Sequence, residues 1–186
     1  MDSNSKKNII LGITGSIAAV KVPAIISLLT KHNISVHVVM TENAARFVTP
    51  LTFRTLTRNQ VTVSLWDEPE KWEPGHVALA DKAELALVAP ADANIIAKLA
   101  CGIADDALST ELLTIRKPII LAPAMNPKMY ASPVLQANIA RIKSLLPDTE
   151  FAGPVSGPVA CGAEGKGRMA EPEEIVAAVL KKLNIA

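Results

Sequence analysis

The sequence predicts an α/β fold: an open parallel sheet with helices on both faces. Three observations carry that reading. Short apolar runs rich in β-branched residues recur along the chain, as fully buried strands require. Segments with apolar residues at helical spacing separate them. The first two runs are separated by about one helix, enough for a parallel βαβ crossover and far too much for a hairpin.

In chain order, "NIILGI" (8–13) is the first strand and "SVHVVM" (35–40) the second. Between them "SIAAVKVPAIISLLTKH" (16–32) has helical periodicity, with a kink expected at Pro23. "AELALVAP" (83–90) and "PIILAP" (118–123) are further buried strands, and Pro90 and Pro123 are expected to stop them. Helical patterns cover 93–101, 105–115, 132–146 and 172–183. Pro172 suits the first turn of the last helix, and Glu171, Glu173 and Glu174 suit its positive end. The whole is a flavodoxin/Rossmann-like arrangement in one domain spanning 1–186. Two segments interrupt it: "SLWDEPEKWEPGH" (64–76), which holds both tryptophans, and a glycine-rich stretch at 153–169, read as a mobile flap.

Composition narrows the function. At 186 residues, with 49% hydrophobic and 20% charged residues, the chain can bury a substantial core. Aromatics make up only 3%, so that core is aliphatic. A net charge of +1 without a basic tract excludes a nucleic-acid partner. No apolar run is long enough for a membrane span, and "MDSNSKKN" is no export signal, so the expected location is cytoplasmic. Two cysteines, Cys101 and Cys161, are then reduced thiols. With three scattered histidines they form no metal site.

In open α/β sheets ligands gather at the C-terminal ends of strands. After the first strand, Gly12 and Gly15 allow a tight turn, and Ser16 opens a helix where an anion such as phosphate can bind. The G-x-x-G spacing is neither a dinucleotide fingerprint nor a P-loop. Thr41 ends the second strand with a hydroxyl suited to a phosphate, which favours a mononucleotide over NAD. Asp92 and Asn94 follow the third buried run and Asn126 the fourth, each at or near a helix start, as caps or as ligand-binding groups. Asn126 lies between Met125 and Met129, where an amide beside flexible apolar side chains can hold a carboxylate or a flavin edge. Five of the nine glycines fall between Gly153 and Gly167 and surround Cys161. A thiol so placed is either a bystander in a loop or a reactive group delivered by a closing flap.

Taken together, "TGSIAA", "GHVALAD", "PADAN", "PAMNPKMY" and "ACGAEGKGRMAEP" resemble the flavin-containing cysteine decarboxylases over residues 8–182. The last segment is similar to the flap of their phosphopantothenoylcysteine decarboxylase branch. The resemblance implies FMN held by Gly15, Ser16, Ile17, Thr41, Asp92, Asn94, Ser109, Thr110, Ala124 and Met125. It implies His76 as thiol activator, Asn126 as carboxylate holder and Cys161 as proton donor. Met129, Ala160 and Gly162 would join Asn126 and Cys161 around the substrate, 4′-phosphopantothenoylcysteine. It also implies a trimer, or a multiple of trimers, with FMN between subunits. Departures from the family pattern are Tyr130 for the usual Trp, Asp92 for Ser and Ile95 for Thr. The competing readings are a peptidyl-cysteine decarboxylase, which stops at the ene-thiol and needs no acid at Cys161, and a non-catalytic regulatory flavoprotein. A flavin prenyltransferase shares the fold but not the combination of His76, Asn126 and Cys161.

Overall fold

The computed structural model describes residues 6–67, 75–158, 162 and 164–185, with the backbone alone at 75–77. Strand β1 (Lys7–Ile13) leads through a 3-10 turn (Ile17–Lys21) and helix α1 (Val22–Lys31) into β2 (Ile34–Met40). Short α2 (Glu42–Ala45), α3 (Pro50–Thr57) and β3 (Val61–Thr62) follow. Then come α4 (Gly75–Lys82), β4 (Leu85–Ala91), α5 (Ala93–Cys101), α6 (Ala107–Thr114) and β5 (Ile119–Pro123). The chain continues through α7 (Pro127–Tyr130), α8 (Pro133–Leu145), β6 (Glu150–Phe151), the hairpin β7 (Val155–Pro158) and β8 (Glu164–Arg168), and α9 (Pro172–Lys182).

Six strands form one sheet in the order β3-β2-β1-β4-β5-β6, every pair parallel. Alternate residues of each strand face opposite sides. Ile9, Leu11 and Ile13 of β1 join Val36 and Val38 of β2 and Leu85 and Leu87 of β4 beneath α1, α3 and α9. Ile10, Val39, Ala86 and Val88 enter the other layer, beneath α4, α5, α6 and α8. All seven residues of β4 are buried, as a central parallel strand covered on both faces requires. Gly12 permits close packing here: a Cβ at that position would lie 2.6 Å from Leu108 Cδ1. Among the described residues no helix is long and apolar enough to cross a membrane.

Three expectations are corrected. Pro23 does not kink a helix, because it occupies the first turn of α1, where its missing N–H costs nothing, and the preceding turn is 3-10. Pro90 does not stop β4, which continues to Ala91 through a register shift between Val88 and Ala91. Much of the segment at 153–169 is not loop: β7 and β8 pair antiparallel from Val155–Arg168 to Pro158–Glu164. Glycine concealed this strand because it removes the side-chain pattern by which strands are recognised.

Helix α6 carries a feature that its apolar neighbours do not announce. Glu111 is only 3% exposed, and its Oε2 has no hydrogen-bond partner among the described residues. Burial pushes its carboxyl pKa up to about 8. The folded protein therefore keeps a proton that the unfolded chain releases in the ordinary carboxylate range. Stability should fall as pH rises from about 4.5 towards 8. Urea titrations across that window should show this decline in the wild type and a flatter profile in Glu111→Gln; identical profiles would refute the assignment.

Candidate functional site

The strand order reverses between β1 and β4, so the chain leaves these neighbours in opposite directions and opens a crevice at their C-terminal ends. Thr14, fully buried, spans the opening. Its hydroxyl donates to the Pro90 carbonyl (2.8 Å) and accepts from the Asp92 amide (3.0 Å). The turn after β1 and the loop after β4 are thereby fastened together.

Four helical starts converge around this clasp. Ser16 caps the 3-10 turn, its Oγ accepting from the Ala18 amide at 3.3 Å. Thr41 caps α2 through a 3.2 Å bond from the Ala44 amide, and Asp92 caps α5 through one of 2.8 Å from the Ile95 amide. Asn126 caps α7, with Oδ1 accepting from the Lys128 amide at 2.8 Å. Each cap orients a polar side chain and brings a positive helix end to the crevice. Gly15 lets the first turn pass α2, since a Cβ there would sit 2.6 Å from that of Asn43.

Two cavities flank the turn. The first, of about 530 Å³, is lined by Ser16, Ile17, Ala124, Met125 and Asn126, together with Lys21 and Arg168. The second, of about 370 Å³, is lined by Thr41, Asp92 and Asn94, with Trp66, Lys98, Asp105 and Asp106. Residues that the sequence scatters over more than a hundred positions are thus collected into two adjacent hollows. Ser109 and Thr110 line neither. Ser109 spends its hydroxyl on the capping box with Asp106, while the buried Thr110 Oγ1 has no partner among the described residues. Met129 lies half-exposed on α7, and Gly162 is exposed with a left-handed φ of 78°. The backbone of His76 belongs to the first turn of α4; its side chain, Ala160 and Cys161 lie outside what the structure describes.

The hairpin is held against the first cavity by backbone. The Met125 amide donates to the Gly167 carbonyl at 2.9 Å, and Gly167 lies against Met125 and Pro127. The Gly167 end of β8 is thereby anchored beside Asn126. Lys166 of β8 lies 5.8 Å from the Tyr130 ring centre, so the smaller aromatic at this position supports a cation from the hairpin.

The two hollows differ in charge. In the second, burial opposes the charge on Lys98, but Asp105 (2.6 Å) and Asp106 outweigh it and hold the ammonium pKa above its ordinary value. Burial likewise works against the Asp106 carboxylate, but Lys98 and the Ser109 amide hold its pKa down. At the first, Lys21 reaches Glu171 at 2.9 Å and Arg168 reaches it at 3.2 Å. The hydrogen bond from Lys21 chiefly depresses the Glu171 pKa. Sequence reading passed over Lys21 and Glu171 as a pair, since 150 positions separate them. Among the described residues no group of three or more potential metal ligands occurs.

Known proteins share this sequence and fold. A family model described as "Flavoprotein" matches residues 1–184. The chain is 47% identical over 173 residues to the coenzyme A biosynthesis bifunctional protein CoaBC of Haemophilus influenzae, covering 93% of this chain and 43% of that protein. Against CoaBC of Bacillus subtilis the identity is 45%, covering 92% and 42%. The chain thus spans less than half the length of these relatives. Among solved structures, a cysteine-to-serine mutant of PPC decarboxylase complexed with pantothenoylaminoethenethiol superposes with a TM-score of 0.85 at 26% identity, covering 97% of this chain and 100% of that one. The FMN binding protein AtHal3 gives 0.81 at 28% identity, covering 98% and 100%.

The tightest point of the assembly is testable. A Cβ on Gly167 would approach the Met125 carbonyl oxygen to 2.4 Å, a backbone contact that no rotamer relieves. Gly167→Ala should cost about 1–3 kcal/mol in chemical denaturation through forced backbone movement. Hydrogen exchange at the Met125 amide should accelerate, and an unchanged rate would show that the hairpin is not held there.

Proposed function

This chain belongs to the flavoprotein family, and on that premise we propose that it is an FMN-dependent decarboxylase converting 4′-phosphopantothenoylcysteine to 4′-phosphopantetheine in coenzyme A biosynthesis. The observation that carries the reading is the joining of the β7–β8 hairpin to the Met125–Asn126 loop at the mouth of the first cavity. It brings β8, the strand that follows Cys161 in the chain, beside the asparagine suited to a carboxylate. Relatives named for coenzyme A biosynthesis and for PPC decarboxylase support the same substrate.

The crevice fits the cofactor on its own chemistry. Gly15 leaves a cradle that a Cβ would fill, and the starts of the 3-10 turn, α2 and α5 present N–H groups suited to a phosphate monoester. Gly15, Ser16, Ile17, Thr41, Asp92, Asn94, Ala124 and Met125 would hold FMN, with Ser109 and Thr110 behind them. When bound, FMN supplies the two-electron oxidation at the sulfur-bearing carbon that gives the electrons of the carboxylate somewhere to go, and returns those electrons afterwards.

The protein's own residues do the rest. His76 assists loss of the thiol proton, because imidazole titrates near neutral pH. Asn126 holds the carboxylate so that the breaking C–C bond aligns with the acceptor system. Loss of CO2 leaves an ene-thiolate, and Cys161 delivers the proton to its carbon. The hairpin excludes water while this happens. The functional particle is a trimer or a multiple of trimers, with FMN at the subunit interface. Support comes from large apolar side chains left exposed beside the crevice, Ile17 at 51% and Val20 at 56%. The activity is exercised in the cytoplasm.

Anaerobic turnover followed by mass spectrometry tests the reading. Wild type should release saturated 4′-phosphopantetheine, and Cys161→Ser should accumulate the oxidised ene-thiol product, about two mass units lighter. If the wild type itself stops at the lighter product, the chemistry is that of a peptidyl-cysteine decarboxylase. An FMN-loaded protein without turnover favours a regulatory role. Light scattering should give a particle mass three times that of the chain or a multiple of it; a monomer with full activity would exclude a shared flavin site.

A further inference from the structure

We infer that Lys21, Arg168 and Glu171 form a phosphate-monoester subsite at the first cavity, which reads the 4′-phosphate of the substrate. The inference rests on the proposed substrate and adds the means by which the protein distinguishes it from an unphosphorylated cysteine compound.

Charge distribution between the two hollows is the starting point. The second is lined by four carboxylates, Glu42, Asp92, Asp105 and Asp106, against the single ammonium of Lys98. Its side chains therefore carry a net negative charge, and a phosphate there would rely on backbone amides alone. The charged residues lining the first are Lys21 and Arg168, both cations. Glu171 joins them from the N-terminus of α9, its two oxygens divided between Lys21 Nζ (2.9 Å) and Arg168 Nη2 (3.2 Å). One carboxylate shared by two cations holds both in place and leaves the group with a net positive charge. The three side chains remain about one-third to two-fifths exposed, so a ligand can reach them.

Arg168 has unused capacity as well. Its Nε is buried, has no hydrogen-bond partner among the described residues, and lies 3.6 Å from a Cβ built at Gly157 of the hairpin. An arginine already oriented by one carboxylate is well prepared for a second oxyanion, because its planar fork loses little freedom on binding. The remaining lining of Ile17, Ala18, Val20 and Met169 suits the aliphatic arm between the cysteine and phosphate ends of the substrate. The same chemistry could serve the flavin's phosphate, so the test must separate the two sources.

Binding of 4′-phosphopantetheine and of pantetheine to the FMN-loaded protein is measured by calorimetry for wild type, Lys21→Gln, Arg168→Gln and Arg168→Lys. The wild type should prefer the phosphorylated compound at least tenfold, and each glutamine variant should reduce the preference roughly tenfold, as expected for loss of one charge-assisted hydrogen bond. Arg168→Lys should retain part of it. Equal affinity of the wild type for both compounds, binding of neither, or a preference that survives both glutamine variants overturns the subsite. FMN and riboflavin affinities, read by flavin fluorescence, form the second arm. A loss of FMN over riboflavin with the pantetheine preference intact assigns the cations to the flavin and overturns the inference. Phosphate preference without turnover sinks only the proposed reaction, whereas turnover without phosphate preference sinks only the subsite.

Discussion

The architecture depends on a hydroxyl with two partners. Thr14 lies where β1 has just ended and β4 has a neighbour that no longer continues in register, between two backbones about to diverge. Its hydroxyl accepts one amide and donates to one carbonyl, satisfying both groups in a place that water does not reach. Either group left unpaired there would cost about 1–3 kcal/mol. A valine of similar shape would fill the space and satisfy neither. The crevice at the switch point therefore has a fixed width, and the turn at Gly15–Ser16 stands opposite the start of α5 in every molecule.

Close backbone approaches extend this order to the periphery. Gly12 admits α6 through Leu108, Gly15 admits α2, and Gly167 admits the loop after β5. A chain with few aromatic residues fills its two layers with Ile, Leu, Val and Ala, so its elements can approach closely where glycine allows. The hairpin shows the use of this most clearly. It shares no ladder with the main sheet, yet the Gly167–Met125 bond fixes it to the sheet's C-terminal edge. The base of the hairpin is thereby kept beside Asn126.

Much of this was legible in the sequence, for reasons that differ from element to element. Strands β1, β2, β4 and β5 were found within about two residues, because burial on both faces writes an unbroken apolar run. Helices α5, α8 and α9 were found through periodicity, and α9 also through the first-turn signal of Pro172. The two-residue strands β3 and β6 are too short to show any period. Pro90 misled because proline ends a strand only where a neighbour needs its N–H, and a local register shift removes that need. For the site, the residues following each strand were foreseeable from fold logic alone. The Lys21–Glu171–Arg168 group was not, since a salt bridge between distant segments leaves no mark on either.

Caps and ligand groups were separate readings of Asp92 and Asn126 in the sequence, but the geometry makes them compatible. A capping side chain accepts from the first free amides of its helix, which fixes its rotamer and leaves the remaining amides of that turn directed at the crevice. For Asn126 the consequence is chemical. Its oxygen is engaged by the Lys128 amide, so the amide plane is set and its two ends are no longer equivalent. A carboxylate at this position would require a donor, and an amide nitrogen is one. Aspartate at the same place would cap equally well and meet a substrate carboxylate with like charge. At Asp92 the surroundings differ: the position shares the second hollow with Asn94 and Lys98, where the side-chain charge is net negative. The same capping geometry thus fixes both side chains, and the residue at each helix start sets the charge that its hollow presents.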